Sequence, residues 1–140
     1  MQGINSLNDL SEIEKILKLI TSIAIVGLSP KENRPSNMVA RYLLDAGYKV
    51  YPVNPGQTEI LGEICYPDLL SLPDPVDMVD IFRRSEDVLP VVEQAVEIGT
   101  QAVWMQQGIL NNSAAELAKS NGIFVVMDRC IKVDHSNLLS

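Results

Sequence analysis

The sequence predicts an α/β fold: a doubly wound, five-stranded parallel sheet with an N-terminal helix. Three observations predict it. Short apolar runs rich in β-branched residues recur along the chain, as strands buried on both faces require. Amphipathic segments at helical spacing separate them. Glycine or proline punctuates most junctions. Strict alternation of strand and helix implies long, right-handed crossovers and therefore parallel pairing. The expected strand order is 3-2-1-4-5, with the first and fourth strands flanking the point where the winding reverses.

Over residues 8–20, Leu10, Ile13, Ile16, Leu17 and Ile20 stand at helical spacing, with Asn8 as the expected N-cap and Glu12 and Glu14 near the positive helix end. Ser22 to Gly27 reads Ser-Ile-Ala-Ile-Val-Gly and is the first strand. Leu28 to Pro35 is a polar loop, after which Met38, Val39, Tyr42, Leu43 and Ala46 mark a helix ended by Gly47. Lys49 to Val53 is the second strand, stopped by Asn54-Pro55-Gly56. Between Gln57 and Pro75 the pattern weakens into a short helix or turn over Pro67 to Leu72.

Val76 to Phe82 is the third strand, although Asp80 interrupts it. An edge or partly exposed position suits Asp80, since a buried carboxylate needs a hydrogen-bonding partner. Glu86 to Ile98 is a helix with Val88, Leu89, Val92, Ala95 and Val96 inward and Pro90 tolerated near its start. Gln101 to Met105 is the fourth strand. A helix over Ser113 to Ser120, capped by Asn111, Asn112 or Ser113, leads to a fifth strand, Ile123 to Met127, and a short polar tail from Asp128.

The 140 residues suit a single domain spanning the whole chain, with no repeat or linker. The two cysteines, Cys65 and Cys130, have no metal-like or CxxC spacing, so neither a zinc site nor a disulfide framework is indicated. No apolar stretch approaches membrane-spanning length, and a cytoplasmic location is expected. The formal charge of -7 repels nucleic acid and anionic membranes at long range. A polyanionic ligand must therefore be held by local devices, such as helix N-termini and placed arginines.

In an open parallel sheet, ligands bind outside the carboxyl ends of the strands. Those ends read Gly27-Leu28-Ser29, Val53-Asn54-Pro55, Phe82-Arg83-Arg84, Gln106-Gln107-Gly108 and Asp128-Arg129-Cys130. None is a matched acid/base pair. The first loop, with Arg34 and a helix start near Pro35-Ser36, can cradle a phosphate, but it has neither GxGxxG nor the P-loop pattern. No carboxylate stands between Gly47 and Gln57, where a domain binding NAD places its ribose ligand. Of Arg83 and Arg84, one is expected to face the crevice and the other solvent, a salt bridge to Glu86 or Asp87 being the structural alternative. Trp104 reads as core.

The ordered series Ile25-Val26-Gly27-Leu28-Ser29, Arg34-Pro35-Ser36, Gly47-Tyr48, Val53-Asn54-Pro55, Ile81-Phe82-Arg83, Trp104-Met105-Gln106-Gln107-Gly108 and Asp128-Arg129-Cys130 resembles the stand-alone CoA-binding domain family. That family is similar in fold to the CoA-binding domain of the succinyl-CoA synthetase α subunit. The resemblance runs from about Ile23 to Cys130. It implies a Rossmann-like fold with coenzyme A, free or acylated, as the ligand. The positions it implies are Gly27, Leu28, Ser29, Arg34 and Ser36 in the first loop, Val53, Asn54 and Pro55 at the second strand end, Phe82 and Arg83 at the third, and Gln107 and Gly108 at the fourth.

The synthetase works through a phosphorylated histidine in a second domain. Here the sole histidine, His135, falls in the polar tail and reads as a surface side chain, so binding carries over and ligase chemistry does not. Non-catalytic binding of CoA or an acyl-CoA is the expected function, with no catalytic or metal-ligating residue assigned. The alternatives are an enzyme using NAD or an acyl-CoA, and an interaction protein that keeps the fold without a ligand. Apolar helix faces and edge strands leave room for a homodimer. Cys130, after the fifth strand, stands where the pantetheine thiol of CoA would reach, which raises a mixed disulfide as a hypothesis.

Overall fold

The computed structural model describes residues 9–139. Helix α1 (Leu10–Leu19) is capped by Asp9, whose Oδ1 accepts the backbone N–H groups of Ser11 at 2.9 Å and Glu12 at 3.4 Å. The cap expected at Asn8, which lies outside the described residues, is thus one position later. There follow β1 (Ser22–Val26), α2 (Pro35–Asp45), β2 (Lys49–Val53), a small hairpin of β3 (Glu59–Ile60) and β4 (Glu63–Ile64), and a 3-10 turn (Leu69–Ser71). The chain continues through β5 (Met78–Ile81), a second 3-10 turn (Ser85–Asp87), α3 (Val88–Ile98), β6 (Ala102–Met105), α4 (Asn112–Ser120), β7 (Phe124–Val126) and α5 (Ile131–Leu139). Of the three caps offered for α4, the structure uses Asn111, whose side chain accepts the Ala114 N–H at 2.9 Å.

The main sheet is parallel throughout, and the Rossmann-like architecture matches expectation. The strand order does not. It runs β2-β1-β5-β6-β7, so the third strand of the sheet lies beside the first and not outside the second. Pro52 supplies one reason: without an N–H, proline is disfavoured in a strand hydrogen-bonded on both sides, so β2 belongs at an edge. The hairpin supplies another. Tyr66 donates its N–H to Pro52 O at 3.0 Å and accepts the Asn54 N–H at 2.9 Å, occupying the outer edge of β2. That hairpin escaped the sequence reading because its turn is Leu61-Gly62, both at positive φ (56° and 80°), a conformation for which leucine is a poor marker.

Each sheet face has its own apolar layer. Ala24, Val26, Val79, Ile81 and Val103 pack under α3 and α4, which contribute Val88, Val92, Ala95, Ala114 and Ala118. Ile23, Ile25, Met78 and Trp104 pack under α1, α2 and α5, which contribute Ile13, Leu17, Val39, Leu43 and Ile131. Trp104 is wholly buried and donates its indole N–H to Arg129 O at 2.7 Å, so it is core as expected.

The expected polar tail is helix α5, whose signals are tertiary. Gln106 Oε1 accepts the N–H of its first residue, Ile131, at 3.3 Å, and Arg129 grips Asp134 through two bonds of 2.7 and 2.9 Å. His135 lies on this helix, half-buried, with Nδ1 2.8 Å from Tyr42 Oη and its ring edge-on to Tyr42 and Tyr48. Burial lowers its pKa. It is a packing residue, not the free surface side chain expected.

Asp80 is the exception to the apolar interior. It sits in the central strand, in register with Ile25 on one side and Trp104 on the other, with no accessible surface. Neither carboxyl oxygen has a hydrogen-bond partner among the described residues. Burial pushes the Asp80 carboxyl well above the usual carboxylate range, and the adjacent Ile81 N–H, which does not meet hydrogen-bond geometry, opposes it by less. The expectation of an edge or exposed position is corrected: β5 is flanked on both sides.

Candidate functional site

With the observed order, the winding reverses between β1 and β5, so the crevice opens at their carboxyl ends. The fit there is tight. Phe82 N–H donates to Val26 O and Gly27 N–H to Val53 O, both at 2.8 Å, stitching three strand ends together. Gly27 has φ +87°, and a Cβ on it would collide with the Phe82 carbonyl oxygen and lie 3.2 Å from an Arg83 guanidinium nitrogen. Glycine at this strand end is therefore a steric requirement of the junction.

The first loop spends much of its polarity on itself. Leu28 is wholly buried, and its carbonyl accepts Asn54 Nδ2 at 2.9 Å. Ser29 donates its N–H to Ser36 Oγ at 3.0 Å, accepts the Lys31 N–H on its hydroxyl at 3.1 Å, and accepts Asn37 Nδ2 on its carbonyl at 2.9 Å. Arg41 holds the far side of the loop through Asn37 Oδ1 and Glu32 O. Ser36 is buried at the second position of α2, behind Pro35. The outcome is a rigid loop ahead of a helix start that no side chain caps. Arg34, exposed at the N-cap position, has no side-chain partner among the described residues.

At the second strand end, Asn54 is a brace. Its Nδ2 reaches across to Leu28 while its Oδ1 accepts the Gly56 N–H at 3.0 Å. Val53 and Pro55 line a small pocket of about 120 Å³ with Val26 and Arg83, closed by Leu69 and Gln94 from the far layer. At the third end the two arginines divide. Arg84 is exposed and pairs with Asp87 at 3.1 Å and Glu86 at 3.7 Å. Arg83 is half-buried beside Gly27, and no carboxylate or carbonyl among the described residues engages its guanidinium.

At the fourth end, Gln107 and Gly108 are exposed, and the Gly108 N–H is taken by Asp128 Oδ1 at 2.6 Å. On the α2 side of the crevice, a cleft of about 330 Å³ is walled by Pro35, Val39, Phe82, Gln106, Gln107, Ile109 and Cys130. The structure thus brings Phe82 and Gln107 to a cleft on the α2 side of the sheet, and Val53, Pro55 and Arg83 to a smaller pocket lined by residues of the other layer. Gln106 was read only as part of the fourth strand end and Val39 only as part of a helix face, and Ile109 had not been singled out. Their only sequence signal was proximity to a strand or helix end, whereas Leu69 and Gln94 gave none. Among the described residues no acid, base and nucleophile converge at this edge, and no group of His, Cys, Asp and Glu could hold a metal.

Comparison with known proteins gives one consistent result. The sequence profile of the family described as CoA binding domain matches residues 21–136. The uncharacterized protein YneT of Bacillus subtilis is 42% identical over 126 residues, covering 90% of this chain and 93% of that protein. The ADP-forming acetate–CoA ligase I of Archaeoglobus fulgidus is 29% identical over 119 residues, covering 78% of this chain but 17% of the ligase. A solved structure of a hypothetical protein from Pyrococcus horikoshii OT3 superimposes with a TM-score of 0.92 at 41% identity, covering 94% of this chain and 93% of that one.

Proposed function

Because the chain belongs to the CoA binding domain family, we propose that it is a non-catalytic binding module for coenzyme A or an acyl-CoA. The observation that carries this reading is Arg83: a half-buried guanidinium at the switch point, packed beside Gly27, with no acidic partner among the described residues. A cation so placed is matched by an anionic ligand. The uncapped start of α2 and the free Arg34 add positive potential to the same edge. The cleft on the α2 side, walled largely by apolar side chains, suits the uncharged arm of such a ligand. Gly27, Leu28 and Asn54 shape the edge, and Ser29, Ser36, Val53, Pro55, Phe82, Gln107 and Gly108 stand along it.

The same reading makes the protein a single-domain cytoplasmic module, alone or as a homodimer, that engages neither nucleic acid nor membrane. No helix among the described residues is long and apolar enough to cross a membrane. Ligase chemistry stays with relatives in which this region is a small part of a longer chain. Isothermal titration of nucleotide-stripped protein with CoA, NAD and ATP at one salt concentration tests the proposal. Saturable binding that prefers CoA supports it. A preference for NAD would return the chain to the oxidoreductases, and no binding at all would leave a fold without this ligand.

A further inference from the structure

Buried polar side chains are nearly always paired, and among the described residues Asp80 alone has buried side-chain oxygens that meet no partner. It stands in β5, at the switch point of the sheet, with no accessible surface. Alternation along the strand turns Val79 and Ile81 to the α3 side and Met78 and Asp80 to the α2 side. One step farther on that face, about 7 Å along each strand, come Phe82 and Gln106, two walls of the 330 Å³ cleft. The carboxyl therefore lies one step beneath the cleft. Among the described residues, the groups that face it are uncharged: Ile25 and Trp104 flank it in register, and the helices contribute Ile13 and Leu17 from α1, Val39 and Leu43 from α2, and Ile131 from α5. The titratable groups of this layer are engaged elsewhere, Tyr42 with His135, Tyr48 with Leu17 O, Asp134 with Arg129 and Cys65 with Asn54 O, while Cys130 stands at the cleft wall.

We propose that Asp80 makes anion binding at this sheet edge proton-linked: the protein takes its ligand with Asp80 neutral and loses affinity when Asp80 ionises. The inference rests on the CoA-binding reading above and adds a regulation to that site. A carboxylate here would set a negative charge beneath the edge where Arg83 and the uncapped start of α2 supply positive potential. Solvent ions screen such a charge poorly, because no part of Asp80 reaches the surface. Arg83 follows three residues later, about 10 Å along the chain. At that separation a buried charge and a bound anion of the same sign weaken binding by about tenfold. The direction follows from burial, which raises the Asp80 pKa and so keeps the neutral form above the usual carboxylate range. Affinity is full below the folded value and falls as pH rises through it. By reciprocity, a bound anion makes Asp80 harder to ionise by the same factor.

The test is isothermal titration of the full chain with CoA across a series of pH values, for the wild type and for Asp80→Asn. Taking the ratio of the two affinities at each pH cancels the titration of the CoA phosphates themselves. The two proteins should bind equally in acid, and the wild type should fall behind by about tenfold as Asp80 ionises. A ratio that stays flat wherever both proteins are folded would overturn the inference. So would a gap already present in acid, which would mark a change of shape and not of charge. The two levels separate cleanly: CoA binding with a flat ratio sinks the proton linkage alone, and no CoA binding by the wild type at any pH sinks the reading beneath it. If Asp80→Asn does not fold, NMR of the Asp80 carboxyl carbon in the wild type decides the matter. Its titration midpoint should move to higher pH on saturation with CoA, and an unmoved midpoint would refute the linkage.

Discussion

Replacing Asp80 with asparagine should make the protein more stable near neutral pH and leave it almost unchanged in acid. Asp80 has no accessible surface and, among the described residues, no partner for either oxygen, and burial raises its pKa well above the usual range. In the unfolded chain an aspartate gives up its proton above about pH 4, whereas the folded chain keeps it. The folded state then binds one proton more than the unfolded state. Stability consequently falls as pH rises, by at most about 1.4 kcal/mol per pH unit, until the raised folded value is reached. Asp80→Asn preserves size and neutrality but cannot titrate. Below about pH 4 the two proteins should agree to within roughly 1 kcal/mol. Above it the variant gains on the wild type along that slope, or roughly 4 °C in Tm for each kcal/mol in a domain of this size. Urea unfolding curves for both proteins at about pH 4, 5 and 6 measure it. A stability difference that does not change with pH would refute the reasoning, because it would mean that Asp80 ionises as readily folded as unfolded.

Gly27→Ala should destabilise by about 2–4 kcal/mol, from a strained positive φ together with a collision with backbone. A thermal melt indistinguishable from wild type would mean that β1 and β5 end farther apart than described. Arg83→Ala should weaken CoA binding by about ten- to a hundredfold, the worth of a charge-assisted hydrogen bond, without lowering Tm, because no internal partner is lost. Arg84→Ala, already paired with Glu86 and Asp87, should leave affinity unchanged; equal losses in titrations of both variants would point to a diffuse field in place of a contact. Asn54→Ala removes bonds to Leu28 O and the Gly56 N–H and should cost about 1–3 kcal/mol in chemical denaturation, and an unchanged midpoint would show that the brace is dispensable.

The strands and the helices between them were legible because each carries its own periodicity, and the helix ends because glycine and asparagine mark them. What was not legible depends on partners distant in sequence. The strand order turned on Pro52, visible in the sequence but informative only once β2 is asked to be an edge or an interior strand. Helix α5 depends on Gln106 and on the Arg129–Asp134 pair, so its own pattern carries little signal. At the site, the residue types after each strand identified the edge, and Arg83 could be distinguished from Arg84 only when the packing beside Gly27 was seen. Asn54 was read as a strand-ending turn or a ligand contact; it is also a cross-brace, because its second partner, Leu28, lies on another strand end.

The bond from the Gly108 N–H to Asp128 gives the crevice a polarity. One end of the sheet edge carries unspent positive groups at Arg83 and the start of α2, while at the other end a backbone donor is already satisfied by the protein's own acid. A phosphate arriving at Gly108 would have to displace that carboxylate and then sit beside it. On the reading proposed above, an anionic head would meet attraction at one end of this edge and repulsion at the other, which favours one direction of binding. The tail of such a ligand would, on the same CoA-binding reading, point towards Gln106 and Cys130.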